Sequence, residues 1–284
     1  MKLWLTFVPM KKFKSILVLI FVLNSFSAFS QKNKLKNDSL AIRDSIREYM
    51  FHGVLLSMDA MQAKYESQKS VDLSEKQQKA GEAQNLFFQS RAYYRKAIAY
   101  DKNYYPAWSN MGTAYFLQDL PKAAIPCFRK AILINGNYAS AWFNLGKAYT
   151  MINMNDSAVY SYKQCIRLDS TSIQAYQELS RLIILHQKDS SAALRLLRLS
   201  SYHKPTSEVP WVSMSVIYFS YNDSVNGIAS LEKAAQIYAG DVQRLQKLAN
   251  YFQYHNDQKK AAYYLNILAI ENKKQEVPID ANPD

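Results

Sequence analysis

The chain has 284 residues, of which 49% are hydrophobic, and it contains seven glycines. So few glycines argue against a turn-rich β architecture, and the length allows one long domain or two short ones. The formal net charge is +12. No basic amphipathic helix or arginine-rich run concentrates this charge, so the composition favours a solvated basic surface. Nucleic acid is not expected as a partner, because the first 30 residues indicate an exported protein.

The first 30 residues have the pattern of a secretory signal peptide. Three lysines between residues 11 and 14 precede an apolar run over residues 16–23, and Ala28-Phe29-Ser30 provides a cleavage site before Gln31. We therefore expect an exported protein, periplasmic or secreted, with residues 1–30 removed and no integral membrane span left.

Two alternatives remain open at this end of the chain. Residues 24–29 could extend the apolar run into an uncleaved membrane anchor. Translation could begin at Met1 or at Met10, because Met10 directly precedes the positively charged region. Cleavage after residue 30 would remove four lysines and no acidic residue, which lowers the formal charge from +12 to +8.

Residues 31–37 form a polar leader, and residues 38–101 predict a pair of long helices. Apolar residues recur on one helical face from Leu40 to Met61, and a second helical pattern runs from about Ser74 to Tyr100. The charged segment 66–79 is expected to contain the turn between them.

The segment 102–271 is organised by a sequence period of 34. The pattern W-x2-M-G-x2-Y at residues 108–115 returns as W-x2-L-G-x2-Y at residues 142–149. Each is followed by a small and then an aromatic residue at the same offsets. These residues are Ala124 and Phe128 in the first copy, and Ala158 and Tyr162 in the second.

This pattern resembles the tetratricopeptide repeat family. The resemblance implies an all-α fold, a right-handed superhelical solenoid of antiparallel helix pairs, here with about six repeats including degenerate ones. The tryptophan, glycine and tyrosine positions form one buried stripe on helix A of each pair. Gly112 and Gly146 are expected where helix B crosses helix A at close range.

The period weakens but continues towards the C-terminus. Tyr176 and Trp211 are 35 residues apart, so one residue is inserted upstream of Pro205. Ala192 and Leu196 are assigned to repeat positions 20 and 24 of this fourth unit. The fifth and sixth units follow in register, and residues 38–101 are interpreted as a degenerate first repeat.

The last repeat has no obvious polar capping helix. Its uncapped end is expected to expose Leu265, Leu268 and Ile270, which the tail, a partner or a second copy of the chain could cover. A homo-oligomer through this end is therefore possible. Residues 272–284 are polar and are expected to be a disordered tail.

The sequence offers no motif for catalysis. Four histidines are scattered without metal-ligand spacing, and no catalytic or phosphate-binding motif occurs. A recurrent aspartate at the turn between helices A and B is interpreted as a helix cap. These aspartates are Asp119, Asp156, Asp189, Asp223 and Asp257. We expect no enzyme activity, no cofactor and no metal.

Two cysteines, Cys127 and Cys165, occupy repeat positions 23 and 27 of successive B helices. An exported protein can form disulfides, so a bridge between them is one interpretation. The other is a pair of small buried core residues.

Three functional classes remain. The preferred one is a non-catalytic scaffold that binds a peptide segment or a partner protein on the concave face of the repeat array. The second is an obligate structural or assembly subunit of a cell-envelope or secretion complex. The third is an enzyme whose site has no recognisable motif.

The partner-binding surface is expected on the inner face of the A helices. At about 100° per residue, repeat positions 2, 6, 9 and 13 lie roughly opposite the buried stripe. Asparagine at position 6 resembles the asparagine ladder in the repeats of O-linked sugar transferases, which holds extended peptide. A solvated helix face is the alternative. The candidate site residues are Asn110, Thr113, Leu117, Asn144, Lys147, Met151, Arg181 and Leu185.

Overall fold

The computed structural model describes residues 39–276, and all regular structure in that range is helical. The expected all-α class is therefore confirmed for this part of the chain. The expected signal peptide, the polar leader and residues 277–284 lie outside the described residues.

Twelve α-helices follow one another within residues 39–276. In the first half they are α1 (Ser39–Lys69), α2 (Leu73–Tyr100), α3 (Tyr105–Leu117), α4 (Pro121–Ile134), α5 (Ala139–Met151) and α6 (Asn155–Leu168). In the second half they are α7 (Ile173–Leu182), α8 (Ser190–His203), α9 (Val209–Ser220), α10 (Ser224–Ile237), α11 (Val242–Tyr254) and α12 (Gln258–Glu276). A π-helical turn, Ile183–Gln187, directly follows α7.

The helices form two compact units, with the division between Met154 and Asn155. Unit 1 contains α1 to α5 and unit 2 contains α6 to α12. Within each unit, every helix packs against the next one in the chain. Since short turns join them, each unit is a series of antiparallel helices.

A glycine facing an aromatic ring sets the approach of the helices in the second hairpin. A Cβ atom added to Gly112 on α3 would lie 2.7 Å from Cε1 of Phe128 on α4. Phe128 is fully buried, as is Ala124 one turn earlier on α4. The predicted close crossing at Gly112 is therefore confirmed.

Two further hairpins use the same contact. Gly53 on α1 faces Tyr94 on α2, where an added Cβ would lie 2.5 Å from the ring. In the pair α9 and α10 the sides are exchanged, because the glycine is Gly227 on helix B and the ring belongs to Phe219 on helix A, at 2.7 Å.

The first hairpin is much longer than the second. Gly53 and Tyr94 are 41 residues apart in sequence, whereas Gly112 and Phe128 are 16 apart. The extra residues lengthen α1 and α2 by about 12 residues each, or roughly 19 Å of helix.

The turn of this first hairpin lies at residues 70–72. Most of the charged segment 66–79 is therefore helical, and only its middle forms the turn.

Each A helix from the second repeat onward ends at a residue with positive φ. A left-handed residue at this point lets the following N–H groups bond back to the last helical carbonyls. The spacing between these residues is 34, except for one interval of 35. They are Asp119 (φ 60°), Asn153 (59°), Lys188 (54°), Asn222 (59°) and Asn256 (58°).

The aspartates at these turns have three different roles. Asp189 and Asp223 are N-caps whose carboxylates accept from Ala192 N and Asn226 N. Asp257 likewise accepts from Lys260 N. The cap interpretation is wrong for Asp119, which is the left-handed residue after α3, and for Asp156, which lies inside the first turn of α6.

The π-helical turn Ile183–Gln187 accounts for the inserted residue of the fourth repeat. A π turn takes up one extra residue without ending the helix. The register after it shifts by one, so Ala193 and Leu197 are the fully buried residues of α8. The assignment of Ala192 and Leu196 to those positions was therefore wrong.

The C-terminal hairpin also differs from expectation. Helix α12 continues to Glu276, so the predicted tail begins at least five residues later than residue 272. Leu268 is buried in a cluster with Phe252 and Tyr264, whereas Ile270 is exposed.

We expect Gly112→Leu to lower the free energy of unfolding by about 1 to 3 kcal/mol, since the new side chain overpacks the crossing against Phe128. Chemical denaturation measures this change. Gly81→Leu on α2 is the matched control, because a Cβ at Gly81 meets nothing within 4 Å. The control should gain roughly 0.5 to 1 kcal/mol from helix propensity. Equal midpoints for parent and Gly112→Leu would contradict the crossing.

We expect Lys188→Gly to stabilise the chain by up to about 1 kcal/mol, because an L-residue is strained in the left-handed region. The exposed Lys163 within α6 is the control, since glycine there should cost roughly 0.7 kcal/mol in helix propensity. Thermal melts of both variants give the comparison, and a destabilised Lys188→Gly variant would show that the lysine side chain matters at this turn.

Candidate partner-binding site

The tryptophan at the start of helices α3 and α5 fixes where each helix begins. Trp108 Nε1 donates to the carbonyl of Lys102 at 2.9 Å, and Trp142 Nε1 donates to the carbonyl of Gly136 at 2.9 Å. Each indole thus ties its helix to the preceding turn. This repeated bond places α3 and α5 in the same register within unit 1.

Two of the predicted site residues are hydrogen-bonded across α3 and α5. Asn144 Nδ2 donates to Thr113 Oγ1 at 3.4 Å, and Thr113 Oγ1 donates to the carbonyl of Ser109 at 3.1 Å. Residues at positions 6 and 9 of successive A helices therefore meet on one surface. We call this surface the inner strip, comprising Asn110, Thr113, Leu117, Asn144, Lys147 and Met151.

Asn110 is buried, with 5% of its surface exposed. Its Nδ2 atom is fully buried and has no hydrogen-bond partner. This differs from the expected open face. Helices α1, α4 and α5 all pack against α3, so little of its surface is left open. A buried donor without a partner costs about 1 to 3 kcal/mol.

The rest of the inner strip combines a cation with apolar surface. Lys147 Nζ lies 4.8 Å from the ring centre of Phe116 and 5.8 Å from that of Phe143. Leu117 is half-buried and Met151 is exposed at the end of α5. A lysine on an aromatic ring gains a cation–π contact while its stem covers apolar surface.

The remaining two predicted residues belong to unit 2. Arg181 on α7 binds Glu178 Oε2 through Nε at 3.0 Å and Nη2 at 2.7 Å. Leu185 lies in the π-helical turn with an exposed side chain. The bond within α7 holds Arg181 against its own helix.

Sequence reasoning missed two contacts on the A helices of unit 2. Gln177 Nε2 donates to Ser213 Oγ at 3.0 Å, and this bond, like the one between Asn144 and Thr113, joins two successive A helices. Lys247 Nζ lies 3.9 Å from the ring centre of Phe219. Polar residues at repeat positions 5 and 6 are the signal that could have identified the first pair.

Within residues 39–276, no cluster of histidine, cysteine, aspartate and glutamate could hold a metal ion. In the same range, none of the helices combines the length and the apolar character needed to cross a membrane.

The two cysteines are free thiols and both are buried. Burial raises the pKa of Cys127 to about 11 and also raises the pKa of Cys165. A buried thiol with a raised pKa forms little of the reactive thiolate. These observations favour core residues over a disulfide.

The architecture and the strip define a helical-repeat protein built from antiparallel hairpins. Residues 105–138 and 139–172 each match a model of the tetratricopeptide repeat family. The two central repeats therefore match the tetratricopeptide repeat family, at the positions that the 34-residue period predicted. A search of curated proteins gives no match.

Solved structures share the fold at low sequence identity. PilF of Pseudomonas aeruginosa is 15% identical with a TM-score of 0.55, over 83% of this chain and 98% of that chain. MamA of Desulfovibrio magneticus RS-1 is 17% identical with a TM-score of 0.46, over 62% of this chain and 98% of that chain. YrrB, a tetratricopeptide repeat protein with an unusual peptide-binding site, is 18% identical with a TM-score of 0.45, over 57% and 84%. The likeness to PilF extends to the fold alone.

We expect both thiols of the folded chain to resist a maleimide reagent at pH 8 and to react fully after denaturation, since burial disfavours the thiolate. Mass spectrometry counts the modified cysteines. Fast modification of the native chain would contradict the buried environment of the thiols. If the intact protein, prepared without reductant, had a mass two hydrogens below that of the reduced chain, the disulfide interpretation would be restored.

Proposed function

We propose that this chain is an exported, non-catalytic scaffold that binds an extended segment of a partner protein along the inner strip of α3 and α5. Tetratricopeptide repeats support the general role, since the fold serves protein–protein interaction. The signal-peptide pattern of residues 1–30 supports export. The observation that carries the proposal is the buried, unpartnered amide of Asn110.

An asparagine amide suits the recognition of peptide backbone. Its nitrogen donates to a carbonyl and its oxygen accepts from an N–H, so it holds a chain without reading the side chains. Nδ2 of Asn110 is buried and unpartnered, so a turn of this side chain towards the peptide would give it a carbonyl partner. Asn144 is held only by a 3.4 Å bond to Thr113, which is long enough to be exchanged for a bond to peptide.

The other residues of the inner strip add preference for the side chains of the segment. Lys147 packs against the ring of Phe116, which places a cation beside apolar surface. Met151 presents an exposed, adaptable apolar side chain at the end of α5. The preferred segment is therefore extended and carries an apolar residue.

The second candidate function is a subunit of an envelope assembly. The last hairpin of unit 2 exposes Tyr254 on α11 and Tyr263 and Ile270 on α12. Exposed aromatic and aliphatic residues of this kind mark interaction surfaces. Sedimentation of the purified chain separates the two candidates, since a scaffold is a stable monomer and an obligate subunit is not.

We expect Asn110→Ala with Asn144→Ala to weaken the partner by tenfold or more. Two lost hydrogen bonds at about 0.5 to 1.5 kcal/mol each give this factor. The partner is captured from cell envelope with the parent chain as bait, and its affinity for each variant is then measured by calorimetry.

Asn137→Ala is the control for this experiment, because Asn137 is exposed on the turn between α4 and α5 and lies outside the inner strip. Thermal melts should show no loss of stability for Asn110→Ala, since it removes an unsatisfied donor. Unchanged affinity of a captured partner for the double variant would place the site elsewhere.

A further inference from the structure

A second unsatisfied polar group in unit 1 belongs to Arg91 on α2. Only 7% of this residue is exposed, and its Nε and Nη1 atoms are buried without hydrogen-bond partners. It forms no ion pair with any of the described residues. Burial of an unpaired charge is costly, so an arginine in this state calls for an explanation.

The groups around Arg91 are an aromatic face and another cation. Its Cζ atom lies 4.5 Å from the ring centre of Tyr115 on α3. Arg95, one turn further along α2, donates from Nη2 to the hydroxyl of the same tyrosine at 3.4 Å. Burial lowers the pKa of Arg91, the side chain of Tyr115 opposes this, and the charge of Arg95 lowers the pKa again. Two guanidinium groups thus converge on one tyrosine.

The next repeat shows that packing does not require an arginine here. The residue 34 positions after Arg91 is Ile125 on α4, and the residue 34 positions after Tyr115 is Tyr149 on α5. Ile125 and Tyr149 pack against one apolar cluster with Phe128. An isoleucine therefore fills the equivalent place in the following repeat.

We propose that Arg91 and Arg95 form an oxyanion site between α2 and α3, which binds a phosphate or carboxylate group against Tyr115. Planar guanidinium groups with several N–H donors match the geometry of such oxygens. Two exposed residues border the site towards solvent. They are Arg95 and Phe88, and the ring centre of Phe88 is 5.8 Å from Arg91 Cζ. The site lies apart from the inner strip and does not depend on the function proposed above.

Thermal unfolding of the full chain tests the site. The parent is melted with inorganic phosphate, with acetate, and with chloride at the same ionic strength. Because an anion that binds only the folded state stabilises it, phosphate or acetate should raise the midpoint above that in chloride. A response to phosphate alone assigns a free or esterified phosphate, and a response to acetate alone assigns the carboxylate of an acidic group.

Arg91→Ile is the decisive variant, since it copies Ile125. It should melt in chloride at or above the parent's midpoint and should lose the response to phosphate and acetate. Arg95→Gln, at an exposed position, should weaken the response without unfolding the chain. Arg129→Gln is the matched control, because Arg129 is exposed and lies 34 residues after Arg95, and it should keep the full response.

A parent midpoint that is the same in all three salts would overturn the proposal. So would an Arg91→Ile variant that keeps the phosphate or acetate response. A second readout is the Nε–H resonance of Arg91 in an NMR titration with phosphate, which should shift saturably in the parent and in Arg129→Gln.

Discussion

The contact of an aromatic ring with a glycine backbone sets the spacing of the helices on which the other features depend. In three hairpins the ring lies where a Cβ atom would be, so the two helices can approach only if that side chain is absent. The ring of Phe128 against Gly112 fixes how α3 is rotated about its axis. That rotation decides which residues of α3 face α4 and which form the inner strip. In the pair α9 and α10 the glycine, Gly227, is on helix B and the ring, Phe219, is on helix A. The close packing of a ring on a glycine therefore matters more than which helix carries the glycine.

The helices of the central repeats could be predicted because their period is also their structural repeat. The fourth repeat could not, because the sequence Ile183–Gln187 contains neither proline nor glycine to mark an irregular turn. A π turn adds a residue while the helix continues, so counting in steps of 34 misplaces everything after it. As a consequence, the buried alanine of α8 was assigned to Ala192, whereas the structure shows that it is Ala193. The long first hairpin was predicted from its helical pattern, but its contact between Gly53 and Tyr94 was not, since the insertion separates these two residues by 41 positions.

Helix geometry placed Thr113 and Asn144 on one surface, but it did not predict the burial of Asn110. A helical wheel gives the direction of a side chain relative to its own helix axis. It does not say how neighbouring helices pack around that side chain, which is why Asn110 was expected on an open face. The repeat alignment did contain a signal for Arg91, because a charged residue stands in a column where the next repeat has Ile125. Comparing columns between repeats would have identified it.

Asn110 and Arg91 both break the rule that buried polar groups are paired, and both lie in unit 1. Each unsatisfied group of this kind lowers stability by about 1 to 3 kcal/mol when nothing is bound. Unit 1 retains its fold despite this cost because the crossings at Gly53 and Gly112 bury large rings completely. A chain selected for stability alone would place an apolar residue at both positions, as it does at Ile125. Local conflicts of this type concentrate at functional sites, which is the reason for proposing both residues as binding groups. The buried, unpartnered hydroxyls of Tyr176 and Ser200 in unit 2 show that such conflicts are not confined to unit 1.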